Sequence, residues 1–296
     1  MDIQHIRYFL AVAKHESFSK AAEELFVTQP ILTRCVKNLE KELGVLLIER
    51  STKHFTLTEA GQLLRSQGKQ LLQQHRDIYR QMEDMADGQA GQLRISGPGV
   101  LLDMYFPQLL NQYRREHPGV RITIRESGTR TVVKDVLEGS ADIGLVMLPL
   151  SDGENLQIIP IVKDEIHVLV HRDHPLAKEP YVHIRQLEGV DLITYNESTT
   201  LYHAFEKLCR QEGFSPVIAY QSMMPGFILD ILSYGDCVGV FPAPMLRQAD
   251  KPELVSIPLV PQFPWQIAMI TKKGRYVSKA ADSFLTFAQT FLSKLT

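Results

Sequence analysis

Apolar residues recur at helical spacing over most of the first sixty positions. Ile3, Ile6, Phe9, Leu10 and Ala13 follow Asp2, a good N-cap, so the chain opens on an amphipathic helix. A second short helix turns Ala21, Ala22 and Leu25 inward, with Ser19 as its cap and Phe26-Val27 closing the turn after it. Thr28 caps a third helix with Pro30 in its first turn, where the missing N–H is not needed. On that helix Leu32, Val36, Leu39 and Leu43 share one face, while Gln29, Thr33, Arg34 and Lys37 share another with Lys41 one turn beyond. The stretches Gly44 to Arg50 and Lys53 to Gly61 then hold two apolar, strand-like runs flanking a basic turn, the pattern of a wing.

From Thr58 to about Asp87 there is no proline, and Leu57, Leu64, Leu71, Ile78 and Met85 recur every seven residues. A helix of that length runs ~45 Å and cannot bury such a stripe against so small a head, so a partner helix is expected. Gly61 and Gly68 allow close approach along it. The second heptad row is mostly glutamine (Gln67, Gln74, Gln81), which favours an extended dimerisation helix over a long independent coiled coil. Asp87-Gly88-Gln89-Ala90-Gly91 reads as a hinge.

Beyond Gly91, β-rich runs alternate with helical ones. Strands are expected at 93–96, 120–126, 141–147, 165–170, 190–194, 217–221, 238–241 and 265–271, and helices at 104–116, 132–138, 201–212 and 227–233. Such alternation predicts an α/β domain with a parallel sheet, whose ligands bind beyond the carboxyl ends of the strands. Whether it forms one lobe or two is open on the residues alone.

At 296 residues the chain exceeds one ordinary domain, and 44% hydrophobic with 22% charged residues is the balance of a globular protein. The N-terminus has no basic start followed by an apolar core, and no apolar run is long enough to span a bilayer, so a cytoplasmic protein with no membrane partner is expected. Cys35, Cys209 and Cys237 form no close pair, which suits reduced thiols.

A net charge of -2 does not advertise nucleic-acid binding, and within residues 1–60 eight Lys and Arg are matched by eight Asp and Glu. A DNA reading therefore rests on where charges fall. Two short helices with a tight connection, the second bearing amide, hydroxyl and basic side chains near its start, match a recognition helix in a major groove. A solvated face on a three-helix bundle is the alternative.

Catalytic chemistry has no carrier: there is no Gly-x-Ser-x-Gly elbow, no phosphate-binding Gly-Lys-Ser/Thr loop and no His-Glu-x-x-His. No metal or cofactor is expected. His167, His171 and His174 fit a strand end before a His-Pro turn better than a metal site. Met223-Met224 and Trp265 read as core or pocket wall.

The ordered set Phe18-Ser19-x-Ala21-Ala22, Thr28-Gln29-Pro30-x-Leu32-Thr33-Arg34-x-Val36-Lys37-x-Leu39-Glu40-x-x-Leu43-Gly44, Arg50 and Leu57-Thr58-x-Ala60-Gly61 resembles the N-terminal signature of the LysR-type transcriptional regulators. Ala141-Asp142-Ile143-Gly144, Arg172-Asp173-His174-Pro175-Leu176 and Gly235-Asp236-x-Val238-Gly239-Val240-x-Pro242 resemble later landmarks of that family, as packing and turn residues.

The resemblance implies a winged helix-turn-helix at 1–60, a linker and dimerisation helix at 58–87, and a two-lobed, periplasmic-binding-protein-like effector domain at 92–296. Lobe I would take 92–163 with 269–296, and lobe II 164–268. Double-stranded operator DNA would be held by Gln29, Pro30, Thr33, Arg34, Lys37, Arg50 and Lys53. A small anionic effector would sit between the lobes on Gly97, Pro98, Ser127-Gly128-Thr129, Asn196, Ser198, Thr199, Ser222 and Met223. Gly97 and Pro98 stand in the first loop, where many relatives place a hydroxyl, and Glu197 would repel an anion. Subunits would pair through the linker helix and assemble to a tetramer, with RNA polymerase as a further partner. The rival functions are a cytoplasmic solute-binding protein or enzyme with an incidental helix bundle, and a purely structural oligomerisation module.

Overall fold

Asp2 accepts a hydrogen bond from the Gln4 N–H and starts α1 (Ile3–His15), the first element of a computed structural model that describes residues 1–50, 55–86, 91–150, 153–247, 249–262 and 264–293. Two compact units emerge, Met1–Met82 and Glu83–Thr296. In the first, α1 packs with α2 (Phe18–Leu25) and α3 (Gln29–Leu43) around Phe9, Val12, Ala21, Leu32, Val36 and Leu39, all fully buried.

The local signals differ from expectation at two places. Ser17, not Ser19, caps α2 by accepting from the Lys20 N–H, and Phe18 is drawn into the helix by an edge-on contact with Phe55. Thr28 has the extended backbone of a cap, yet its side chain makes no capping bond. Phe26 and Val27 close the turn as expected: left-handed Phe26 (φ 54°) donates its N–H to the Glu23 carbonyl and Val27 to that of Ala22, with the Phe26 ring exposed and Val27 packed on the core.

β1 (Ile48–Arg50) and β2 (Phe55–Leu57) pair antiparallel with Ile48 opposite Leu57. The backbone entering this wing is gripped from both sides. The buried Glu40 carboxylate of α3 accepts from the Leu47 and Ile48 N–H groups at 3.0 and 3.3 Å. Thr58 donates its N–H to the Leu47 carbonyl and its hydroxyl to the Leu46 carbonyl, at 3.1 and 2.6 Å. α4 (Glu59–Ala86) then lies so close that a Cβ on Gly61 would stand 2.1 Å from the Leu47 oxygen. A Cβ on Gly68 would stand 2.9 Å from the Ile6 side chain and 3.6 Å from that of Leu10. Both glycines therefore seat α4 on its own head rather than on a second helix. Leu64 packs on the head core, whereas Leu71, Ile78 and Met85 of the same heptad row are exposed. The hinge expected at 87–91 lies, but for Gly91, outside the described residues.

The second unit runs β3 (Gly91–Gly97), α5 (Gly99–Glu116), β4 (Val120–Glu126), α6 (Thr129–Leu137), β5 (Ile143–Met147), β6 (Leu156–His171), β7 (Val182–His183), β8 (Asp191–Thr194), α7 (Thr200–Gln211), β9 (Val217–Gln221), α8 (Pro225–Ser233), β10 (Val238–Pro242), α9 (Pro244–Arg247), β11 (Leu254–Val260), β12 (Pro264–Lys272) and α10 (Lys279–Leu292). Strand order is β4-β3-β5-β12-β6-β10-β8-β9, with β11 on β6 and β7 on β11. The sheet is mixed rather than parallel: β3, β4 and β5 run parallel, as do β8, β9 and β10, while β6, β11 and β12 are antiparallel to their partners except where β11 meets β7.

Two lobes result because β6 serves both. Leu156 to Glu165 pairs with β12, and Ile166 to His171 pairs with β10 and β11. The chain's return to the first lobe comes at Pro264, not residue 269, since Ile267 and Ala268 already pair with Met147 and Val146 of β5. The first half of β6 and all of β11 escape a sequence reading because each contains a proline, Pro160 and Pro258. Pro160 is tolerated at the register shift opposite Ile267 and Ala268. No helix among the described residues is long and apolar enough to cross a membrane.

A methyl group at Gly61 has nowhere to go, because the atom it meets is a backbone oxygen held by Thr58. Gly61→Ala is expected to destabilise the head by about 1–3 kcal/mol in urea unfolding. Gly128→Ala, with no atom within 4 Å of the added carbon, is expected to stay within about 0.5 kcal/mol of the parent.

Candidate functional site

The even charge balance of residues 1–60 is resolved by placement. Glu40 is buried against backbone N–H groups, and Glu42 pairs with the terminal ammonium. Glu24 is bound by Lys14 and His15, whose hydrogen bonds hold its carboxyl below the usual carboxylate range. On α3, Leu32, Val36 and Leu39 are buried, so helical geometry turns Gln29, Pro30, Arg34 and Lys37 to the exterior, with Thr33 half-buried between them. Among the described residues no carboxylate pairs with Arg34 or Lys37. Asn38 and Lys41 extend the same exposed side. Arg50 ends β1 opposite Phe55, and Lys53 lies outside the described residues. Ile31, beside this polar row, is exposed as well.

In the second unit a cleft of about 160 Å³ lies at the carboxyl ends of β3, β4 and β8, where α5, α6 and α7 begin. Pro98, Ser127, Gly128, Thr129, Ser198, Thr199 and Met223 line it, as expected. Gly97, Asn196 and Ser222 do not. Gly97 is turned into the core against Leu145 and Leu102, with its carbonyl accepting from the Ser127 N–H. Asn196 uses its side-chain oxygen on Ser198, and Ser222 uses its hydroxyl on the Met224 N–H. Gly99, Val100, Leu101, Met147, Tyr195, Thr200, Leu201 and Trp265 complete the wall. Trp265, read from the sequence as core or pocket wall, is both buried and in the wall, and all of these need the sheet order to bring them in.

Neither α5 nor α6 has a side-chain cap: Pro98 and Gly128 occupy those positions. Their carbonyls take the third and fourth N–H groups of each helix, at 2.9–3.0 Å, which leaves the first two directed outward. The Glu126 carboxylate approaches the α5 terminus, close enough that a Cβ on Gly99 would lie 3.0 Å from it. The ends of α6 and α7 therefore carry the more open positive potential. Exposed Glu197 is not part of the wall.

Most hydroxyl protons at the rim are already committed. Ser96 donates to Asp135 at 3.1 Å, so the 3.0 Å contact between Ser96 and Ser127 is donated by Ser127. Ser198 donates to Asn196 Oδ1 at 2.6 Å, and Thr199 donates to the Asn196 carbonyl while accepting from the Tyr202 N–H. Thr129 and Thr200 are the rim hydroxyls engaged by no described residue. The aromatic walls likewise turn their polar atoms away, with Trp265 Nε1 donating to Tyr105 at 3.0 Å and the Tyr195 hydroxyl facing Met245 sulfur at 3.8 Å.

Comparison with known proteins finds matches to both parts of the chain. Residues 3–62 match the family described as bacterial regulatory helix-turn-helix protein, lysR family, and residues 86–293 match the LysR substrate binding domain. The uncharacterized HTH-type transcriptional regulator YwbI of Bacillus subtilis is 33% identical over 293 residues, covering 99% of this chain and 97% of that one. AlsR of the same organism is 31% identical, covering 79% and 78%. Among solved structures, full-length OxyR of Pseudomonas aeruginosa superposes with a TM-score of 0.71 at 22% identity, covering 99% and 94%. The LysR family regulator CbnR complexed with its target DNA superposes with 0.65 at 21%, covering 99% and 100%.

The remaining candidate chemistry is structural. His174 caps the turn at Pro175–Lys178, and His167 faces the Ser256 hydroxyl at 2.9 Å, with burial holding both imidazoles below their usual pKa. No group of three metal-ligating side chains forms among the described residues. Burial pushes the Cys209 thiol up to about 12 and the Cys237 thiol up to about 11. Thiolate is the reactive form, so neither is a nucleophile near neutral pH. Short exposure of the native protein to a maleimide at pH 7 is expected to modify half-buried Cys35 alone, with Cys209 and Cys237 reacting only after unfolding. Mass spectrometry of the digested protein reads the order.

Proposed function

Because the chain belongs to the LysR family of transcriptional regulators, we propose that Gln29, Pro30, Thr33, Arg34 and Lys37, with Arg50 and Lys53 of the wing, hold its operator DNA, and that the cleft at 98–129 and 195–201 senses a small anion. The protein is a DNA-binding regulator with an effector-binding domain, not an enzyme. One observation carries the assignment of contacts: the exposed amide and basic row of α3 is fixed to the wing through Glu40. Helix and wing can therefore engage adjacent grooves as one body. CbnR, whose fold this chain shares, has been solved on its target DNA.

Within the cleft we assign contact with the effector to Pro98, Ser127, Gly128, Thr129, Ser198, Thr199 and Met223, joined by Gly99 and Thr200. Gly97, Asn196 and Ser222 act behind them by fixing the loops. Two chains pair through α4, supported by the exposed Leu71, Ile78 and Met85. Pairing of dimers to a tetramer and contact with RNA polymerase complete the reading, all within the cytoplasm where the operator lies.

Gel-shift with the DNA upstream of the protein's own gene tests the central assignment. Arg34→Ala is expected to cost ~1–3 kcal/mol at one base pair, while Lys37→Ala weakens all sequences alike and lowers the salt dependence by about one ion. Operator affinity unchanged in a folded double variant refutes the assignment.

For the pairing, aspartate at both Leu71 and Ile78 is expected to halve the sedimenting mass, since each buried leucine-sized side chain contributes ~1.5–3 kcal/mol. A variant that sediments like the parent places the contact elsewhere.

A further inference from the structure

We propose that the effector is a small apolar monocarboxylic acid, of the size of benzoate or 4-methylpentanoate, bound with its carboxylate at Thr129 and Thr200 and its hydrocarbon against Trp265, Tyr195 and Met147. The inference rests on the cleft being the sensing site and goes on to name what that site selects.

Three features of the cleft carry it. First, its wall contains no Asp, Glu, Lys, Arg or His. An α-ammonium or a second carboxylate would be desolvated there without a counter-ion, which disfavours amino acids and dicarboxylates. Second, the interior presents carbon. The Trp265 N–H is used on Tyr105 and the Tyr195 hydroxyl faces the Met245 sulfur, so both rings offer apolar surface beside Met147, Leu101 and Leu201. Sugars and polyols, which need several partners deep in a site, find none. Third, the hydrogen-bonding capacity not already spent lies together at the rim: the Thr129 and Thr200 hydroxyls and the first N–H groups of α6 and α7. These are donors suited to one acceptor-rich head group.

The volume sets the size. At about 160 Å³ the cleft is close to the about 150 Å³ apolar cavity that accommodates benzene. One six-membered ring or a short branched chain fills it, leaving the carboxylate at the mouth.

Isothermal titration of the full-length protein tests the class with benzoate, 4-methylpentanoate, leucine, hexanedioate and 4-methylpentanamide. Benzoate or 4-methylpentanoate is expected to bind best. Leucine, which adds only an ammonium to 4-methylpentanoate, is expected to bind at least about 30-fold more weakly, and the amide at least about tenfold. Thr129→Val and Thr200→Val are each expected to weaken the acid by about tenfold, because each keeps the shape and removes a donor. Tighter binding of leucine or hexanedioate, still sensitive to the two threonine variants, overturns the class and leaves the sensing site standing. Binding of the acids unaffected by either variant overturns the site as well, and binding of none of the five overturns the class.

Discussion

The contact between Gly61 and the Leu47 carbonyl joins every part of the molecule that handles DNA. That carbonyl accepts from Thr58, and its own peptide N–H is held by Glu40 from α3. One short piece of backbone is thus shared by the recognition helix, the wing and the first turn of α4. The polar groups of buried Leu47 would be costly without partners, and supplying those partners from α3 and from the residue that precedes α4 makes their geometry common. A rigid head follows from hydrogen-bond satisfaction as much as from the apolar core around Phe9 and Leu39.

The effector unit meets the same requirement with strands. β6 and β12 pair through the first lobe, and β6 alone continues as the central partner of β10 and β11 in the second. Trp265 stands near the start of β12, next to the point where the chain changes lobes, and its hydrogen bond to Tyr105 ties that point to α5. The cleft is apolar because such internal partners use up the polar atoms of its walls. Its rim is polar because α6 starts without a side-chain cap and Thr200 follows the capping residue of α7.

Charge also acquires meaning only through placement. Acids and bases are equal in number in the first sixty residues, a balance that argues neither for nor against DNA. Glu40 is buried and Glu42 pairs with the terminal ammonium, Glu24 and Lys14 cancel each other, and helical periodicity gathers Arg34 and Lys37 on one exposed row. Conversely, Cys209 and Cys237 look available in the chain and are made inert by the core of the effector unit.

The sequence by itself determined what depends on short range. The helices of the head, the polar row of α3, the wing strands and the heptad row of α4 follow from periodicity, capping residues and proline positions within a few turns. So do β4 and β9, found at the expected residues. The tertiary structure decided what depends on partners far along the chain. Gly61 and Gly68 face their own head because α4 folds back on Ile6, Leu10 and Leu47. The stretch around Pro160 becomes a strand because β12, about a hundred residues later, supplies its ladder and a bulge to hold the proline. Gly97, Asn196 and Ser222 were expected as contacts yet lie outside the cleft lining, because hydrogen bonds to neighbouring loop residues and core packing turn them away. Met147, Tyr195, Thr200 and Trp265 enter it because strand order, which no local pattern encodes, brings four separate segments to one edge of the sheet.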